Sequence, residues 1–164
     1  MKIGSTIIYG TQVCRITDKA PRTFGKVTRD YYVLTPVSDE RNAIFVPADN
    51  ENLIAKMKKI LSPEEIKALI ATLPREETPW IDEDKERAVA FKEIMDRGDR
   101  REIMLMIKTL FTRKQELEAR GRKLHSADEM MLSRAERVIY EEFSLVLDIK
   151  KEDVVPFITA EIEK

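Results

Sequence analysis

The chain has little of the material from which most enzyme sites, disulfide scaffolds and membrane proteins are built. Its 164 residues include one cysteine, one histidine, one tryptophan and five glycines. A single thiol, Cys14, excludes an internal disulfide and a cysteine-built zinc site. It stands in a β-type run with no histidine or acid cluster beside it, so it reads as a small buried hydrophobe. The histidine, His125, falls in a loop just before a helix start and reads as a solvated or capping residue rather than a general base. Glycine-rich phosphate loops, His-Glu-x-x-His and Gly-x-Ser-x-Gly patterns are all missing. Carboxylates are plentiful but alternate with Lys and Arg at helical spacing, as on a solvated helix face. The chain is therefore expected to be no enzyme and to hold no metal and no cofactor. No apolar run approaches the about 18 residues of a membrane span. The start Met1-Lys2-Ile3-Gly4 carries no export signal, so a cytoplasmic protein without a membrane partner is expected. The formal net charge is −1, which leaves no global field for nucleic acid; any basic surface must be local.

What is present divides in two. From Ile3 to about Asn50 the pattern is β: Thr6-Ile7-Ile8-Tyr9, then Gln12-Val13-Cys14-Arg15-Ile16 after a Gly10-Thr11 turn. Residues 17–28 read as a polar loop holding Pro21 and Gly25, residues 30–37 as a third strand, and residues 43–47 as a fourth. Short strands without helical periodicity between them predict a small, strongly bent barrel. Beyond it the period becomes helical. Residues 51–61 read as one helix with Lys56, Lys58 and Lys59 on its far side. Ser62-Pro63-Glu64-Glu65 is a capping box opening a second, which Pro74 stops. Asp82, Asp99 and Ser126 are placed to cap three longer helices, and a last one covers residues 151–162, in which Pro156 must either fall in the first turn or kink the helix. Met130, Met131, Ala135, Val138, Ile139, Phe143 and Val146 are expected to form one buried face; methionines at this spacing are core filler. The expectation is an α+β chain of two small domains: a bent β barrel at 1–50, a helical connector and linker at 51–81, and a compact helical bundle at 82–164.

Two features stand out from this frame. Between residues 97 and 123 lie Arg97, Arg100, Arg101, Lys108, Arg113, Lys114, Arg120, Arg122 and Lys123, against the acids Asp99, Glu102, Glu116 and Glu118. Within that run Arg120-Gly121-Arg122-Lys123 is a basic loop suited to phosphate contact, or else an ordinary solvated surface. The second feature is Glu77-Thr78-Pro79-Trp80-Ile81-Asp82. Its indole is either a plug between linker and bundle or an exposed wedge able to enter a minor groove.

The ordered set of Ile3-Gly4-Ser5-Thr6-Ile7-Ile8-Tyr9, Tyr31-Tyr32-Val33-Leu34, Val46-Pro47-Ala48-Asp49-Asn50, Thr78-Pro79-Trp80, Gly98-Asp99 and the run from Leu124 to Ala135 resembles the CarD/CdnL family of bacterial transcription regulators. The resemblance implies a Tudor-like N-terminal domain that binds the RNA polymerase β subunit. It also implies a helical C-terminal domain that contacts promoter double-stranded DNA in the minor groove at the upstream edge of the melted region, without strong sequence preference. The family tryptophan, matched by Trp80, favours the open complex. DNA contacts are then expected at Trp80, Lys85, Arg87, Arg120, Arg122, Lys123 and Arg134, and polymerase contacts at Arg22, Arg41 and Phe45, in a monomer or weak dimer that joins the nucleoid through polymerase. The chain departs from the family pattern in carrying Phe45 where some relatives have arginine, Asp82-Glu83-Asp84 where relatives are basic, and Glu129 where relatives place a DNA-contacting lysine. The alternative is a protein-interaction module that does not bind DNA and whose Trp80 is structural.

Overall fold

A computed structural model describes residues 2–76 and 78–162; Met1, Glu77 of the tryptophan stretch, and positions 163 and 164 lie outside the described residues. The chain forms two compact units, Met1–Ile60 and Leu61–Lys164.

The first unit is a five-stranded antiparallel sheet, ordered β4-β3-β2-β1-β5, built from β1 (Thr6–Tyr9), β2 (Gln12–Phe24), β3 (Val27–Pro36), β4 (Ile44–Pro47) and β5 (Met57–Lys59). Gly10, at φ +63°, opens the two-residue loop between β1 and β2, a conformation that favours glycine. Ile7, Cys14, Ile16, Leu34, Val46 and Met57 form the core of the unit, and Cys14 is fully buried. β4 and β5 are the two sheet edges. Among the described residues the sheet is open rather than closed into the expected barrel.

Residues 17–28 are not the expected loop but the outer half of a long β2–β3 hairpin. The register shifts between Ile16 and Asp18; beyond that bulge the strands are mostly exposed and carry no alternating apolar face, hence the loop-like sequence. Cross-strand pairs hold them instead. Thr23 and Thr28 share a hydroxyl hydrogen bond of 2.8 Å, the Lys19 ammonium lies 5.0 Å from the Tyr32 ring centroid, and Phe24 meets Tyr31 edge to face at 5.2 Å. The helix expected over 51–61 is also corrected. Helix α1 (Glu51–Ile54) is one turn capped by Asn50, and the lysine-rich segment after it pairs as β5 with β1, burying Met57.

The second unit comprises α2 (Pro63–Thr72), a 3-10 turn (Leu73–Arg75), α3 (Asp84–Arg97), α4 (Arg100–Ala119), α5 (Ser126–Leu147), a 3-10 turn (Lys151–Asp153) and α6 (Val154–Ile162). Ser62 and Glu65 form the reciprocal capping box foreseen for α2. Gly98, left-handed at φ +69°, ends α3, and the Asp99 carboxylate caps α4 by accepting from the Glu102 N–H at 3.0 Å. Two other caps move by one residue. Glu83, not Asp82, caps α3, accepting from the N–H groups of Lys85 and Glu86. His125, not Ser126, caps α5, its Nδ1 accepting from the Ala127 N–H at 3.3 Å. Pro156 occupies the first turn of α6, where its missing N–H costs nothing.

The core of this unit joins Ile66 and Ile70 of α2, Phe91 and Met95 of α3, Ile103, Met106 and Leu110 of α4, and Leu132, Ala135, Ile139 and Phe143 of α5. Met95, Met104 and Met106 are in the core, but Met130, expected on the buried face, is 74% exposed. Ala135, Ile139 and Phe143 of the expected α5 face are buried, Met131, Val138 and Val146 pack partly against the core, and the fully buried stripe also takes in Asp128, Leu132 and Glu142. That stripe buries two carboxylates, which bulk periodicity could not place inside.

Candidate nucleic-acid interface

Each buried carboxylate of α5 is matched by an arginine. Arg100 donates Nε to Glu142 at 2.9 Å, and Glu142 also accepts from the Leu61 N–H at 3.4 Å. Nearer the α5 N-terminus, Asp128 receives Arg87 in a two-toothed pair, Nε to Oδ1 at 3.0 Å and Nη2 to Oδ2 at 2.7 Å. The remaining guanidinium donors reach the Ile81 carbonyl at 2.8 Å, the Asp82 carbonyl at 3.3 Å and the Asp84 carboxylate at 2.6 Å. All five N–H groups are thereby used, and the residue is 3% exposed. The Asp128 hydrogen bond holds Arg87 above its ordinary value, firmly cationic. The bond from Arg87 in turn holds the Asp84 carboxyl below the ordinary carboxylate value, with the nearby His125 acting in the same direction.

This cation is what Trp80 rests on. The Arg87 guanidinium carbon lies 4.5 Å from the indole centroid, that of Arg113 lies 5.3 Å away, and Phe91 meets the ring edge-on at 6.4 Å. The indole is partly buried against the helical core and lines a cleft of about 260 Å³ with Thr78, Thr109, Thr112 and Arg113. Trp80 is thus neither a fully buried plug nor a free side chain. It is a ring fixed in place by a desolvated cation, where such contacts are strongest, roughly 2 kcal/mol. The single residue Arg87 ties the linker, the start of α3, the first turn of α5 and the indole together.

The basic run 97–123 separates into two groups. Arg97 pairs with Glu102 at 2.9 Å, Arg100 with Glu142, Arg101 with Glu76, Arg113 with Glu116 at 3.6 Å and Lys114 with Glu129 at 2.7 Å. Lys108 donates to the carbonyls of Leu73 at 3.0 Å and Glu76 at 2.8 Å. Arg120, Arg122 and Lys123 are exposed and hold no ion pair with a described residue. Gly121, at φ +70°, turns the chain there, the Arg122 N–H returns to the Leu117 carbonyl at 2.8 Å, and buried Leu124 anchors the exit. Lys85 and Arg134 are likewise exposed and unpaired among the described residues. Of the residues expected to touch DNA, the structure brings Trp80 and Arg87 into contact; Lys85, Arg120, Arg122, Lys123 and Arg134 stand apart from the indole as surface cations. Arg113 and Asp128, which complete the ring's surroundings, were not singled out by sequence. Arg113 lay within the basic run; nothing local marked Asp128. The acids after Trp80 are mostly spent, Glu83 as a cap and Asp84 on Arg87.

On the sheet unit, Arg22 is paired with Asp18 at 3.2 Å on β2. Arg41 is exposed in the turn before β4, its N–H donating to Asp39. Phe45 is 39% exposed and packs edge to face on Phe24 at 5.4 Å and on Tyr31 at 6.3 Å. Phe24 is itself half exposed. The three rings form an aromatic patch which sequence reasoning missed, because Phe24 had been placed in a loop. Among the described residues no group of three acid, histidine or cysteine side chains is arranged to hold a metal ion, and no helix is long and apolar enough to cross a membrane.

Comparison with known families gives two matches that cover most of the chain. Residues 1–60 match the family model described as CarD-like/TRCF RID domain. Residues 68–159 match that described as CarD, C-terminal domain. No curated protein matches the chain.

Proposed function

The chain belongs to the CarD family, and from that premise we propose that it is a regulator that holds promoters in the open state. Domains of this family are transcription-associated, non-enzymatic modules, and the RID type interacts with the RNA polymerase β subunit. In this reading the sheet unit, a Tudor-like platform, docks on the β subunit through Phe24, Tyr31 and Phe45, with Arg22 and Arg41 at its rim. An aromatic cluster suits that task, since rings bring large contact area at low entropic cost. The helical unit meets promoter duplex at the upstream edge of the melted region. Arg120, Arg122, Lys123, Lys85 and Arg134 supply sequence-independent phosphate contacts. The polymerase tether supplies local concentration, so a nearly neutral protein needs little DNA affinity of its own.

The observation that carries the reading is the partly exposed indole held by a buried, fully bonded Arg87. An aromatic wedge works only if its ring is already oriented; otherwise ordering it would consume the energy gained on insertion. A ring that fits distorted, partly unstacked DNA better than closed duplex shifts the equilibrium toward the open complex by that difference in affinity. Arg87 has no donor left for a phosphate, so its part is to orient Trp80.

The test is the lifetime of the open complex on a ribosomal-type promoter with purified polymerase. A stacking contact is worth about 1–3 kcal/mol, so Trp80→Ala is expected to shorten the lifetime roughly fivefold or more. The contact of Trp80 with Phe91 favours a second reading, a protein-interaction module with a structural indole. Under it the variant melts earlier while the lifetime does not change, and that outcome would sink the wedge.

A further inference from the structure

A groove that does not include Trp80 lies on the helical unit, about 490 Å³ in volume and bounded by α4, α5, α6 and the 3-10 turn at Leu73–Pro74. One wall is α4, presenting Met104, Ile107, Lys108 and Phe111; the other is α6, presenting Val155, Ile158, Thr159 and Ile162. Both sets recur at i, i+3, i+4 and i+7, the stripe by which a helix packs on another helix. The floor is Ile139 of α5. Such stripes are normally covered, yet Phe111 is 49% exposed, and Val155 and Ile162 are similarly open. Seven residues of α4 rise about 10 Å, two helical turns.

Among the described residues two charged side chains line the groove, and they differ. Lys108 is spent on the Leu73 and Glu76 carbonyls. Glu136 has no hydrogen bond or ion pair to a described residue; Lys114, whose charge acts on it, is itself bonded to Glu129 at 2.7 Å. Burial pushes the Glu136 carboxyl above its ordinary value, so its charge is held at a cost that a cation would relieve. An uncovered apolar channel two turns long, with a carboxylate on its side that shares its one acting cation with Glu129, is the imprint of a specific shape and charge.

We propose that this groove receives an amphipathic helix of a partner protein, with aliphatic anchors at i, i+3 or i+4, and i+7, and a lysine or arginine set against Glu136. The anchors complete the layer begun by α4 and α6, and the cation fixes the direction in which the helix lies. The groove shares Lys108 with the cleft beside Trp80 but contains neither Trp80 nor the basic loop, and the proposal does not depend on DNA binding.

The probe is a lactam-bridged helical peptide with a leucine stripe at that spacing and one lysine flanking it, titrated calorimetrically into the full chain. Saturable binding is expected, weakened at least about tenfold when the peptide lysine is replaced by glutamate. Glu136→Lys should weaken the lysine peptide and restore the glutamate peptide, a swap that a general loss of packing cannot produce. Phe111→Ala, at an exposed site, should weaken both peptides while the melting temperature is unchanged; Trp80→Ala should affect neither. No saturable binding, or binding indifferent to the charge at position 136, overturns the proposal. So does concentration-dependent self-association that Phe111→Ala abolishes, which would assign the groove to a second copy of this chain.

Discussion

The arginines and lysines of the helical unit sit in two kinds of place. Seven on α3 and α4 are bonded within the protein: Arg87 and Arg100 on buried carboxylates, Arg97, Arg101, Arg113 and Lys114 on surface acids, Lys108 on carbonyls; Lys85, at the start of α3, is exposed like the turn cations. Those in the turn between α4 and α5 are left to solvent. A count of charge along the chain treats the two alike, but only the second group projects a field outward. The first decides where the rigid parts lie. For the tryptophan, this means that its orientation depends on a cation whose donors are all used inside the protein, while the cations left to solvent in the turn do not touch the indole.

The largest effect that would break this division is expected at the clamp. Asp128→Ala leaves the Arg87 guanidinium buried with two of its five bonds gone, and removal of one partner from a buried pair costs about 3–5 kcal/mol. Thermal melting should fall by many degrees, and fluorescence of the sole tryptophan should report a more solvated ring. A melt unchanged within a degree would mean that the clamp is dispensable.

A smaller and opposite signature is expected at the turn. Replacing Arg120, Arg122 and Lys123 together with alanine should leave stability within roughly 0.5 kcal/mol, as for surface substitutions generally. The slope of DNA affinity against salt should fall by about one unit for each phosphate contact removed. If stability falls and the salt slope stays, the two groups of cations have been assigned the wrong way round.

The smallest effect concerns acid. The folded-state value of Asp84 is depressed by the hydrogen bond from Arg87, so the stability it contributes is fully present above its unfolded value and is lost as pH falls through the folded one. The difference in melting temperature between wild type and Asp84→Asn should therefore be constant near neutrality and vanish in acid. A difference that grows on acidification contradicts the sign. Asp84 is exposed, so the difference is expected to be slight.

Much of the helical unit was legible because its signals are local. Ser62-Pro63-Glu64-Glu65 and Gly98-Asp99 end and begin helices through hydrogen bonds within four residues. The outer β2–β3 hairpin was not, because its strands are held by partners ten or so residues away rather than by an apolar face. β5 was hidden for a related reason: three residues do not show whether their hydrogen bonds go to their own turn or to β1.

At the candidate site the order of family motifs pointed to Trp80 without any three-dimensional information, since a tryptophan beside a proline before a helix start is visible in one dimension. The two-part composition, the β-to-helical change of period and the basic 120–123 turn were equally determined by sequence, each resting on neighbouring residues. Tertiary structure alone decided that Arg87 is buried and fully bonded, that Asp128 reaches it across 41 positions, and that six of the nine cations in the basic run are occupied. Pairing and desolvation depend on distances between segments remote in the chain, and no local pattern records them. The same reason hid the groove over Ile139, whose walls are drawn from three helices.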